Sequence, residues 1–266
     1  MSSTFTAQPA RDSGSGPWPF ITRRIHHGAD GALHVVHSRA WRKAHFGEAL
    51  NRPIGVLFAL GSLLFAAGSV LSLWPALARA GSLNSLAVNA VFFSGSIPFT
   101  LAAALQWFQA ASATPFGTSE LEAPRRRIGD WLRDIGWLSC ALQFAGTLLF
   151  NLNTFDAMHT PGNWLAQDIF VWTPNLLGSI LFLASGYLAF VETCHAHGAW
   201  RPHELVWWLT AANLLGCIAF MVSAIFAFVP PHASTMPLAS IALSFTLLGA
   251  IGFLIGSCLL YREAVS

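Results

Sequence analysis

The densest cluster of chemistry-bearing side chains is the run CHAHGAWRPH, which brings Cys194, His195, His197 and His203 close together in the chain. Thiolate and imidazole are the donors that hold zinc or copper. The spacing matches no established zinc finger, so a solvated loop is the favoured reading, and the four remain weak metal candidates. A second group, Asp156, His159 and Asp168, falls in the longest loop on the opposite side. Nothing there sets a nucleophile beside a base, so no catalytic residue is assigned. A third set is amide: Gln143, Asn175 and Asn213 each stand three residues before a glycine inside an apolar run. Amides in hydrocarbon seek partners, and such bonds average below ~1 kcal/mol net. Hydrogen bonding between helices is favoured, with a polar path lined by these three as the alternative.

The elements that must position these groups are six hydrophobic stretches, near 53–76, 86–111, 135–154, 169–191, 206–229 and 238–261. Apolar residues make up 54% of the chain and charged residues 10%, far from the ~25% charged of a soluble domain. Runs of about 20 apolar residues are long enough to cross a bilayer core. The expected class is all-α: a polytopic membrane protein over 53–263. It follows a Ser-, Gly- and Pro-rich tail over 1–19, expected to be disordered, and a basic segment over 20–52. Within that segment, ITRRIHH and ALHVVHSR flank a GADG turn and read as a β-hairpin.

Each stretch carries glycine, a small residue, any two, then phenylalanine: GSLLF at Gly61, GSIPF at Gly95, GTLLF at Gly146, GSILF at Gly178, GCIAF at Gly216 and GAIGF at Gly249. Residues at i and i+4 share a helix face, and small residues let helix backbones approach. These six glycines are therefore assigned to helix packing. Aligned on them, the even-numbered stretches agree further, which suggests three copies of one helical hairpin. Pro98 and Pro174 lie within stretches and can bend them.

Thirteen of the fourteen Lys and Arg residues fall on one side of this arrangement and only Arg79 on the other. Such a bias puts both termini in the cytoplasm, so the net charge of +2 reflects topology and gives no reason to expect nucleic acid. Arg39, Arg42, Lys43 and Arg52 form a basic approach suited to anionic lipid head groups. No ionisable side chain lies in the middle of any stretch, which argues against proton relays and ion-coupled pumps. The histidines lie outside the apolar cores, so no haem or other cofactor is expected. At the rim, Glu192 and Glu263 close even-numbered stretches, and Arg52, Arg133 and Arg201 precede odd-numbered ones; the two readings are ion pairs between the two groups and a set of independent, solvated boundary charges.

NLLGSILFLASGYLAFVE, WWLTAANLLGCIAFMVSAIFAFV and LLGAIGFLIGS resemble the YrhK-like bacterial membrane proteins, as do QFAGTLLFNLNTF and HSRAWRK more distantly. The resemblance implies a multi-pass fold in a bacterial inner membrane and carries no activity. Three functions remain in view. The first is a packing scaffold or accessory subunit, either self-associating or bound to another membrane protein. The second is a small-molecule permease or channel with a path between the hairpins. The third is a metal-binding or enzymatic membrane protein.

Overall fold

The computed structural model describes residues 13–27, 33–40, 50–113, 128–159, 163–231 and 237–264. Several expectations lie outside these residues: the first part of the tail (1–12), the GADG turn, and the basic residues Arg42, Lys43, Arg125, Arg126 and Arg127. Three short strands come first: β1 (Ser13–Ser15), β2 (Arg23–His27) and β3 (Leu33–His37). They pair antiparallel in the order β1-β2-β3, with Arg24 opposite Val36 and Ser13 opposite Ile25. The hairpin thus gains a third strand from within the stretch expected to be disordered. A two-stranded hairpin is marginal alone, and β1 supplies an edge partner for β2.

The helices follow: α1 (Asn51–Leu73), α2 (Pro75–Ala80), α3 (Ser85–Ser112), α4 (Ile128–Arg133), α5 (Ile135–His159), α6 (Trp164–Ala166) and α7 (Thr173–Cys194), then α8 (Leu205–Phe226) and α9 (Leu238–Glu263). A π-helical turn, Gln167–Trp172, joins α6 to α7. Pro174 explains the widening, because it has no N–H for the carbonyl one turn back. The Thr173 hydroxyl donates to the Asp168 carbonyl at 2.7 Å. Among the described residues, six helical segments are long and apolar enough to cross a membrane: α1, α3, α5, the continuous 164–194 helix, α8 and α9. α5 runs on to His159 and the next helix begins at Trp164. Asp156, His159 and Asp168 therefore sit on helices and not in the loop expected from sequence.

Each spanning helix packs against its neighbours in the chain, and α9 closes on α1. The result is a ring of six alternating helices. Around its outside, Leu60, Leu101, Leu148, Ile180, Leu215 and Ile255 are about half exposed, which is the arrangement hydrocarbon solvent permits. Toward the axis lie the glycines, the small residues after them and the motif phenylalanines.

The core glycines meet in pairs. A Cβ on Gly61 would stand 2.9 Å from the Gly95 carbonyl oxygen and 2.6 Å from the Phe99 ring. On Gly146 it would meet the Gly178 carbonyl at 3.1 Å and the Phe182 ring at 2.8 Å; on Gly216, the Gly249 carbonyl at 3.1 Å and the Phe253 ring at 3.0 Å. Close backbone approach leaves no room for a side chain, so each glycine makes the notch that its partner's phenylalanine fills. The residue after each glycine (Ser62, Ser96, Thr147, Ser179, Cys217, Ala250) is small and buried. Ser62 and Thr147 return their hydroxyls to their own helices, to the Phe58 and Phe144 carbonyls at 2.7 Å, which removes the cost of an unpaired polar group.

Candidate functional site

The six motif phenylalanines, Phe65, Phe99, Phe150, Phe182, Phe220 and Phe253, converge on the axis of the ring and are each no more than 6% exposed. Their rings touch in a connected set. Phe65 meets Phe99 and Phe220; Phe253 meets Phe99, Phe182 and Phe220; Phe150 meets Phe182 and Phe220, at centroid separations of 4.9–6.0 Å. Edge-to-face and tilted contacts of this kind are the favoured aromatic geometries. The void left among them, bordered also by Ser96 and Thr147, is about 10 Å³, no more than one water could fill. This is a dry septum.

On the side of the septum where α1 begins and α9 ends, the axis opens into a cavity of about 130 Å³ lined by all six spanning helices. α5 contributes Ser139, Cys140 and Gln143; α8 contributes Thr210 and Asn213; Phe58, Gln106, Ser185 and Ser257 come from α1, α3, α7 and α9. Hydroxyls and amides thus face inward between the phenylalanines above and a charged neck below. Ser139 and Ser185 brace α5 against α7, each donating its hydroxyl to the other's carbonyl, at 3.0 and 2.8 Å. The Gln106 Oε1 is buried with no hydrogen-bond partner.

Helix direction decides which expected residues meet here. Three residues before the core glycine lies on the chain-terminal side of the septum in α5 and α8, but on the far side in α7, which runs the other way. Gln143 and Asn213 therefore line the cavity and Asn175 does not. This cavity is therefore lined by two of the three amides.

The neck is built from β3 and the turn after it. Ser38 donates its hydroxyl to Glu192 Oε1 at 2.6 Å, and Glu192 is 2% exposed. Arg39 pairs with Glu263 through both prongs, Nη1 to Oε1 at 3.2 Å and Nη2 to Oε2 at 3.0 Å. Glu263 is thus paired at the rim, but with an arginine from the segment after the sheet and not one at an odd-helix entrance. Arg201 instead reaches Glu204 at 3.5 Å and the Cys194 carbonyl at 3.1 Å. Arg39 escaped sequence reading because its partner is 224 residues away. The acidic ends of α7 and α9 were the only signal.

No family model matches this chain, and no curated protein or solved structure does either. The arrangement itself must therefore carry the functional reading.

Below the neck lies a wider mouth of about 390 Å³, sharing Arg39 and Glu192 with the cavity above and adding His37, His195, Arg201, Glu204 and Glu263. His195 closes α7 in a left-handed conformation, φ 55°, and its Nε2 lies 2.7 Å from His37 Nδ1, the rings stacked. Burial, His37, Arg23 and Arg201 together push the His195 pKa down to about 4, against a smaller upward pull from Glu192. His37 is lowered as well, chiefly by burial and then by Arg23 and Arg201.

The weak metal candidates are dispersed. Cys194 turns its thiol toward the Ala199 carbonyl, His197 stacks on Tyr187 with Nδ1 2.9 Å from the hydroxyl, and His203 is exposed. Among the described residues no three His, Cys, Asp or Glu side chains form a group that could hold a metal ion.

Proposed function

We propose that this chain is a multi-pass protein of a bacterial inner membrane, three copies of one helical hairpin with both termini cytoplasmic. Its bundle binds a small polar solute in a vestibule facing the cytoplasm, as a permease does. One observation carries this: a cavity on the bundle axis, its apolar wall set with several hydroxyls and amides, lined by all six helices and stopped by an apolar septum. Ligand sites in helix bundles are built between facing helices with a few convergent polar groups. The pairing of glycines within each hairpin, 61 with 95, 146 with 178 and 216 with 249, supports the threefold repeat. The thirteen-to-one charge split supports the orientation. The likeness to YrhK-like proteins rests on packing motifs, so it supports a bacterial membrane fold and adds nothing about the solute.

The test uses full-length protein in inside-out vesicles and lipid nanodiscs. A panel of small polar solutes should contain members that raise the melting temperature saturably and enter vesicles, and Gln143→Leu should abolish both effects. If no solute does either, and Gln143→Leu behaves as wild type, the vestibule reading falls.

A second reading is favoured by the septum itself. Six interlocked phenylalanines and glycine-to-glycine crossings make a dry, filled centre of the kind that serves a packing scaffold, self-associating or docked to another membrane protein, with anionic lipid at its basic face. A stable complex in mild detergent, with no solute response, would select it.

A further inference from the structure

The uncharged hydrogen-bonding groups of the vestibule wall divide into two kinds. Its hydroxyls are engaged within the protein. Ser139 and Ser185 donate to each other's carbonyls, Thr210 donates to the Val206 carbonyl at 3.0 Å, and Ser257 donates to the Phe253 carbonyl at 2.6 Å. Its amides are not engaged. Among the described residues Gln106, Gln143 and Asn213 make no hydrogen bond, and the Gln106 Oε1 is buried. Amides beyond the septum do find protein acceptors: Asn89 on α3 and Asn151 and Asn153 on α5 each donate to a neighbouring element. A polar group held from water without a partner costs free energy, so three such amides on one cavity are a cost that a bound guest would offset. The ring runs α1, α3, α5, α7, α8, α9. Gln106 and Gln143 therefore stand on neighbouring helices, and Asn213 of α8 stands across the axis from Gln106. Gly256 of α9 leaves room for the Asn213 amide, because a Cβ there would collide with it.

Whichever way each amide is turned, it presents a carbonyl oxygen and two N–H groups. A guest that answers all three carries both kinds of group, a carbonyl for the N–H donors and N–H for the oxygens. A molecule with donors alone leaves the amide N–H groups unanswered, and one with acceptors alone leaves the Gln106 Oε1 unanswered. The closed end presents Phe182 and Phe253, and the volume of about 130 Å³ suits a flat guest of a few heavy atoms, on the scale of engineered cavities that hold benzene. We propose that the vestibule binds a small, planar, neutral amide of the urea or primary-carboxamide class, held between Gln106 and Gln143 on one side and Asn213 on the other. This rests on the reading of the cavity as a solute site and names the substrate class of that site. The guest replaces its hydrogen bonds to water with bonds to side chains of its own chemistry, so the site selects by the pattern of donors and acceptors.

Four probes of similar size separate the possibilities in full-length protein in nanodiscs: methylurea, acetone, methylguanidinium and acetate. Methylurea is expected to raise the melting temperature saturably, with the other three inert. Gln106→Leu, Gln143→Leu and Asn213→Leu should each weaken methylurea binding about tenfold, and their places on three helices keep the result readable if one variant folds poorly. Without any probe, Gln106→Leu should melt no lower than wild type, because it removes a buried oxygen that has no partner; a purely structural amide would show a loss. Equal stabilisation by acetone would overturn the need for N–H donors, and a response to methylguanidinium or acetate in place of methylurea would overturn the neutral guest. Either result leaves the polar-solute reading standing. Methylurea binding unchanged in all three variants would place it outside the vestibule and overturn the proposal. Failure of all four probes would overturn the amide class, and a silent solute panel alongside it would remove the vestibule reading too.

Discussion

The two halves of the bundle use the same residue types to opposite ends. Beyond the septum, polar groups are spent on other helices. Asn89 donates to the Ala157 carbonyl at 2.8 Å, Asn153 to Val171 at 2.7 Å, Trp172 to Ala224 at 2.9 Å, and Ser223 bonds Thr246 at 2.7 Å. Asp168, buried there, accepts the Val229 N–H at 3.0 Å. Near the chain termini, Gln106, Gln143 and Asn213 face a cavity instead. Amides bonded between helices on one side of the septum and amides facing a cavity on the other show that intramembrane amides cannot be sorted into packing or binding by type alone. What sorts them is which side of the septum the helix direction puts them on.

The largest effect should come from breaking what both halves share. A Cβ on Gly61 would be driven into the Phe99 ring and the Gly95 carbonyl, and a ring and a backbone cannot both give way. Gly61→Ala should cost about 1–3 kcal/mol, seen as a lowered melting temperature, and Gly61→Leu should prevent recovery of folded protein. Gly198, with nothing within 4 Å of its would-be Cβ, is the control: Gly198→Ala should leave stability unchanged. Equal tolerance at Gly61 and Gly198 would dissolve the septum as a structural unit.

The next largest effect sharpens the contrast between the halves. Asn153→Leu deletes a bond between α5 and the π-helical turn and should cost about 0.6–1.7 kcal/mol, the range for interhelical bonds in membranes. Gln143→Leu lines the vestibule with an apolar side chain and should cost less than Asn153→Leu while removing solute stabilisation. Thermal unfolding of the two variants side by side checks this. A larger loss at Gln143 than at Asn153 would mean the half around the cavity is held together by its amides and hydroxyls.

Much of this architecture is legible in the sequence because it is local. The six apolar stretches, the glycine notch and the phenylalanine one turn later are spacing patterns, and helix geometry converts spacing into a shared face. Asn175 parts from Gln143 and Asn213 because an equal offset from glycine is not an equal position when alternate helices run in opposite directions. Glu192 and Glu263 could be flagged at helix ends, but the choice of Arg39 over Arg52, Arg133 or Arg201 depends on how β3 docks under the bundle. No periodicity encodes a contact across that much chain. The cavity is likewise a property of six helices at once.

The smallest effect concerns the seam that holds β3, and with it Ser38 and Arg39, beneath the neck. His37 and His195 share a proton across 2.7 Å, which requires at least one neutral ring; two imidazoliums would set N–H against N–H. Arg23 and Arg201 add to that penalty, while Glu192 and Glu204 offset part of it. With the folded His195 pKa pushed down to about 4 from its ordinary 6.5, the unfolded chain takes up a proton that the folded one refuses as pH falls between those values. Stability from this pair is therefore complete above about pH 6.5 and lost on acidification toward pH 4. Partial exposure of the rings keeps the change small, about 1–3 °C in melting temperature between pH 7.5 and 5. His195→Asn should flatten that slope. The same acidification should speed proteolysis within the sheet more than within the bundle, because only the sheet depends on the seam. An unchanged slope in His195→Asn would place the pH sensitivity elsewhere, and would leave Arg39 held at the neck by Glu263 and by Ser38's bond to Glu192.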